Sequence, residues 1–237
     1  MSRSRSVWLA LAAVGLVAAL RGSARAEAPT STSDGSNRPP TPTVTKAPSA
    51  PAAAGKRSHD GFFLRLSLGA VYLHESWSPA GGSPGAAYSG GGTSFEAAIG
   101  KSIRPGLIVG GLWRLVVVTD PNESYLGTTY VVAATDRFLD GAAGFVDYYP
   151  RPRRGFHLGG SAGLLAASNV DGAYGSSTTS WGAVLSAWCG YEVFFSSRWS
   201  VGALAQLQGY RYATTEASIS SVSYGLLPTL ALAFTFN

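Results

Sequence analysis

Residues 219–237 read ISSVSYGLLPTLALAFTFN, and their pattern decides the fold. From Tyr224 onward every second residue is bulky and apolar or a proline: Tyr224, Leu226, Pro228, Leu230, Leu232, Phe234 and Phe236. The positions between them (Ser223, Gly225, Leu227, Thr229, Ala231, Ala233, Thr235) are small, polar or apolar. Period two marks a strand with two unlike faces. The thirteen residues from Tyr224 to Phe236 extend roughly 43 Å at about 3.3 Å each, more than a soluble strand ordinarily needs. A strand tilted at about 45° crosses a bilayer's hydrocarbon in roughly 9–11 residues. The stretch is therefore expected to close a transmembrane β-barrel. Pro228 is its irregularity: without an N–H it cannot donate to the ladder, so a bulge or a locally missing hydrogen bond is expected there.

Seven earlier segments carry similar patterns. The first, Gly61 to about Leu73, sets Phe62, Leu64, Leu66, Leu68, Ala70 and Tyr72 against Phe63, Arg65, Ser67, Gly69 and Val71. The second, Thr93 to Ile103, points Phe95, Ala97 and Ile99 outward and Ser94, Glu96, Ala98 and Gly100 inward. In the third, Leu107 to Val118, Arg114 lies within an apolar run; such a residue is costly against lipid and is assigned to a polar interior. The fourth ends at Tyr149 and is read with Asp140 inside, Leu139, Ala143 and Phe145 outside, and Gly141 and Gly144 as candidate bulges. Gly155–Ala167, Ser180–Phe194 and Trp199–Tyr212 complete the set. Long polar connections (Ser78–Gly92, Thr119–Thr128, Ser168–Thr179, Ala213 to about Ser221) alternate with short turns at 104–106, 150–154 and 196–198. An all-β, eight-stranded, antiparallel up-and-down barrel with both termini on the short-turn side follows.

The inward set is then Arg65, Glu96, Arg114, Asp140, His157, Glu192, Gln206 and Gln208. Eight strands enclose a lumen that side chains fill, and buried charges need partners, so these residues are expected to form a polar plug. Arg114 is expected to pair with one or more of Glu96, Asp140 and Glu192. Catalysis has little support. His157 has Gly159, not a hydroxyl, two residues on, His74-Glu75-Ser76 is a common tripeptide at an expected loop entrance, and Gly90-Gly91-Gly92 precedes a strand, not a helix. Metal-ligand spacings and nucleotide motifs are absent, so no enzyme activity and no cofactor are expected. Cys189, the single cysteine, allows no intramolecular disulfide and falls on an apolar face.

Charge and composition bound the rest. Charged residues make up only 13% and glycine 30 of the 237 residues. The formal net charge of +5 comes from the N-terminal part: from Asp60 onward ten Lys/Arg face eleven Asp/Glu. A nucleic-acid surface would need a basic face on the folded part, so none is expected. Residues 1–26 read as a secretory signal, with Arg3 and Arg5, an apolar core at Val7–Leu20 and a small-x-small site at Ala24-Arg25-Ala26. Residues 27–59, rich in Pro, Ser, Thr and Ala without apolar periodicity, read as a disordered tether, leaving 60–237 as the barrel.

A signal sequence followed by an alternating final strand ending in Phe234-Thr235-Phe236 resembles the small eight-stranded outer-membrane barrels of the OmpA/OmpX type. The resemblance is one of pattern over about residue 60 to the end. It implies a Gram-negative outer membrane, lipid as the surrounding partner, and an assembly machinery that reads the aromatic end of the last strand, here Tyr224, Leu230, Leu232, Phe234 and Phe236. Asn237 after the last Phe departs from that pattern. A monomeric barrel with a structural or surface-interaction role, four long outer loops and a ligand the sequence does not name is the leading expectation. The alternatives are a narrow solute pore and a soluble lipocalin-like barrel.

Overall fold

The computed structural model describes residues 61–79, 85–126, 128–131, 135–171, 177–216 and 219–237. The expected signal and tether lie outside the described residues. The described residues form ten strands: β1 (Phe62–Pro79), β2 (Ala86–Arg104), β3 (Leu107–Thr119), β4 (Asn122–Tyr125), β5 (Thr128–Val131), β6 (Thr135–Tyr148), β7 (Phe156–Asp171), β8 (Ser177–Phe194), β9 (Trp199–Glu216) and β10 (Ile219–Phe236). Eight of them pair antiparallel in chain order, and β10 returns to β1, so the sheet closes on itself. Strands β4 and β5 stand outside that ring as a hairpin on the upper part of β2.

The register fixes the barrel's shape. Following paired residues once around the wall leads from Leu66 through Ala97, Trp113, Ala142, Leu164, Ala183, Arg211 and Tyr224 back to Ser76. The path returns ten residues further along β1. With strands about 4.75 Å apart and a rise of about 3.3 Å per residue, that stagger sets a tilt of about 41° and a radius of roughly 8 Å. A cylinder this narrow has no room for both side chains and a channel.

Alternation sorts the faces. Leu230, Leu232 and Phe234 are 71%, 61% and 51% exposed, while Leu227, Thr229, Ala233 and Thr235 are buried. Bulky rows thus point outward all round, the reverse of a lipocalin-like interior. The pairing of β1 with β10 steps from Val71–Thr229 to His74–Leu226 without a change of register. The skipped positions include Pro228, so the ladder is interrupted there and no bulge forms.

Three expectations are corrected. The fourth segment, β6, has the opposite face inward: Arg137, Leu139, Phe145 and Asp147 are buried, and Asp140 is exposed. Gly141 and Gly144 are not bulges, since β6 keeps a constant register with β3 and β7. Among the described residues the wall shifts register between Ser102 and Arg104 of β2. The polar stretches read as long loops are largely strand: β1 runs to Pro79 and β2 starts at Ala86, while β9 runs to Glu216 and β10 starts at Ile219. His74, Glu75 and Ser76 accordingly lie inside β1, with Glu75 buried. Above an apolar band a strand needs no bulky outward row, so its pairing continues where the sequence signal fades.

Candidate functional site

The chemistry-bearing residues are in the lumen, in three polar layers: Arg65 bridges the lower two, and an apolar cluster sets the third apart. Nearest the short turns, Asp147 of β6 accepts from Arg65 Nη1 at 2.6 Å and lies 2.8 Å from His157 Nδ1. The other ring nitrogen of His157 is 3.7 Å from Glu192 Oε1. Glu192 in turn accepts from Ser200 Oγ at 2.6 Å, Thr235 Oγ1 at 2.8 Å and the Tyr149 hydroxyl at 3.3 Å. Tyr149 stacks on the imidazole with centroids 4.7 Å apart. His157 is thus held between two carboxylates, and the nearby hydroxyl of Ser200 donates to Glu192. The layer clamps the imidazole, with Asp147 on one side and Glu192 on the other.

Arg65 joins this layer to the next. Its Nη2 donates to Glu96 at 3.0 Å, and its guanidinium lies 5.0 Å from the Trp188 ring centroid. Glu96 also accepts from Arg114 Nε at 3.0 Å and Nη2. Arg114 further donates to Gln208, and the Gln206 amide oxygen, turned toward it, accepts from Nη1 at 3.3 Å. Glu96 faces Arg114 directly across the β2–β3 pair, which is why sequence alternation on two strands suffices to bring them together. Phe63, Phe145, Trp188, Leu204 and Leu112 pack as an apolar cluster, with Phe63 and Trp188 against the bridging guanidinium.

Above Arg114 a second apolar cluster spans the lumen, built from Val71, Leu73, Val116, Leu139, Leu165, Val184 and Leu227 among others. It is capped by the third polar layer. There Arg137 pairs with Glu75 at 2.5 Å and donates to Tyr212 and Asn169. Tyr210 and Tyr212 donate to Glu75 at 2.5 and 2.6 Å. A cavity of about 10 Å³ beside Arg114, Gln208 and Leu165 is at the lower limit of what one water needs.

Of the residues expected in the lumen, Arg65, Glu96, Arg114, Gln206 and Gln208 share one network, and His157 and Glu192 belong to the layer beneath it. Asp140 does not join them. It lies on the exterior, where Trp113 Nε1 donates to it at 2.5 Å. Arg114 therefore pairs with Glu96 and with neither Asp140 nor Glu192. Sequence reading missed Asp147, Arg137 and Glu75. The first two share a parity on β6 that would have signalled its inner face; Glu75 was lost to a supposed loop. Among the described residues no group of three or more His, Cys, Asp or Glu is arranged to hold a metal ion.

On the exterior, two aromatic rows bracket an apolar band. Phe62, Tyr148, Phe156, Tyr191, Trp199 and Phe234 are exposed toward the short turns, and Tyr72, Trp181 and Tyr224 are exposed toward the other end. Phe236 is half-buried, edge-on to Trp199 at 5.1 Å and to Phe62 at 6.2 Å. Arg211 lies 5.6 Å from the Tyr224 ring centroid at the upper border.

No protein-family model matches the sequence, and no curated protein matches it. Among solved structures, Neisserial surface protein A is similar over 75% of this chain and 97% of its own, with 15% identity and a TM-score of 0.47. The outer membrane protein OprG from Pseudomonas aeruginosa matches over 78% of this chain and 99% of its own, with 12% identity and a TM-score of 0.46. The outer membrane protein AlkL, solved in lipid bilayers, matches over 81% and 96%, with 15% identity and a TM-score of 0.44.

Proposed function

We propose that this chain is a monomeric outer-membrane barrel with a structural or surface-interaction role, its lumen closed and its long hairpins presented outside the cell. The exterior supports the membrane setting. From Phe234 to Tyr224 the outward row of β10 rises about 25 Å at a tilt near 41°, the height of the apolar band of an outer-membrane barrel. The packed lumen is the observation that supports the role: ion-paired residues and two apolar clusters fill a narrow cylinder among the described residues.

On this reading the termini are periplasmic, residues 1–26 direct export and residues 27–59 tether the barrel. The outward row Tyr224, Leu230, Leu232, Phe234 with Phe236 at its foot serves as the signal for the assembly machinery. Two measurements test the whole. Membrane fractions should release the protein only into detergent, with a heat-dependent gel shift, and the folded barrel should give no ion conductance above that of protein-free bilayers. Recovery in a soluble periplasmic fraction overturns the membrane setting; stable unitary conductance overturns the closed lumen.

A further inference from the structure

The three short turns make one end of the barrel uniformly cationic. Lys101, Arg104, Arg151, Arg153, Arg154 and Arg198 are all exposed there, and no acidic side chain is exposed beside them among the described residues. The acidic side chains nearest this end among the described residues, Asp147 and Glu192, are buried and already hydrogen-bonded inside the lumen. No ion pair recorded among the described residues involves any of the six. At the opposite end Asp120, Glu123 and Asp136 stand against Arg211 outside the lumen, so the asymmetry is not a general excess of arginine.

The rim is also held in place. Tyr149 N donates to Gly106 O at 2.7 Å and Arg154 N to Arg151 O at 2.7 Å; Glu192 N donates to Gly155 O at 3.0 Å and Asn237 N to Arg198 O at 2.9 Å. Gly155 is the point of closest approach: a Cβ there would come within 1.6 Å of Glu192 O, and one on Gly106, at φ 78°, within 2.5 Å of Tyr149 O. These bonds link the turns to neighbouring turns and strand ends. The arginines therefore project from ordered backbone, just beyond the aromatic row formed by Phe62, Tyr148, Phe156 and Trp199.

Resting on the membrane reading above, we infer that this rim is a docking surface for the phosphate headgroups of anionic glycerophospholipids in the leaflet that the short turns face. Aromatic rings of this kind sit at headgroup level, which puts the guanidinium groups among the phosphates. A guanidinium grips a phosphate with two parallel N–H donors, and a ring of them beside which no acidic side chain is exposed among the described residues favours an anionic headgroup over a zwitterionic one.

The test is lipid selectivity of the full-length folded barrel in vesicles of phosphatidylcholine with phosphatidylglycerol, read with spin-labelled versions of each lipid. Labelled phosphatidylglycerol should associate with the barrel perimeter about fivefold more strongly than phosphatidylcholine, the factor one basic residue contributes at an anionic surface. The preference should collapse in about 1 M salt, where the Debye length is about 3 Å. The R151Q/R153Q/R154Q variant, altered only in an exposed turn, should lose most of it while keeping the gel shift. Equal association of the two lipids at low salt overturns the inference and leaves the membrane barrel standing. Absence of any perimeter-restricted lipid overturns both. Equal association combined with co-sedimentation of the barrel on purified cell-wall sacculi assigns the rim to that polymer and overturns the lipid assignment.

Discussion

Two side chains with the same charge occupy β2 and β6 in opposite settings, and their substitution separates the lumen from the wall. Glu96 is the shared acceptor of Arg65 and Arg114, so Glu96→Gln leaves the buried Arg114 guanidinium without a counter-charge and Arg65 with Asp147 alone. Breaking a buried pair costs about 3–5 kcal/mol. Asp140→Asn keeps an acceptor for Trp113 on an exposed surface, and surface changes of that kind stay within about 0.5 kcal/mol. Urea midpoints of the folded, fast-migrating band should therefore fall sharply for E96Q and barely move for D140N; equal losses would mean that the lumen network is not what holds the wall. Gly159 offers a third contrast, because a Cβ there would meet the Trp188 indole at 2.3 Å. Gly159→Val should cost about 1–3 kcal/mol by overpacking, visible in the same unfolding assay.

Strand β10 closes the ring with a defect at its centre. The pairing of Tyr72 and Leu73 with β10 is missing beside Pro228, which has no N–H to give. Amide exchange at Leu73 and Leu227 should be faster than at Val71 and Thr229, and Pro228→Leu should slow it. Equal protection in the parent chain would show the gap to be sealed. That gap was legible because a proline's missing donor is a property of one residue. The register of β6 was not, because its evidence is divided: Asp140 favours one face, Arg137 and Asp147 the other, and Leu139 and Phe145 suit either lipid or a lumen layer. What decides is pairing across strands. Trp113 satisfies Asp140 outside, while Arg65 and Glu75 draw Asp147 and Arg137 inside. The hairpin β4–β5 and the upper strand extensions were missed for a related reason, since polar strands outside an apolar band carry little alternation.

At the scale of the molecule the barrel is a cylinder with an apolar outer band whose upper wall continues into paired hairpins, and the β4–β5 hairpin leans on that extension without taking part in closure. Tyr88 of β2 records the contact. Burial, and then the neighbouring Glu123 carboxylate of β4, push its phenol up to about 12 from an ordinary value near 10. The Arg137 guanidinium, 5.8 Å from the Tyr88 ring centroid, opposes that shift and ties the hairpin's footing to the uppermost lumen layer. A raised phenol means that the folded state holds its proton longer than the unfolded one. The stability Tyr88 contributes is therefore fully present below about pH 10 and is lost as the pH climbs to about 12. Replacing residues 122–131 with a short Gly/Ser linker should leave the gel shift intact, because eight strands still close. The same deletion should bring one tyrosine's spectroscopic titration down from about 12 toward 10, a change absent in a Tyr88→Phe background. Loss of the folded band on deletion would instead make the hairpin part of the barrel's closure.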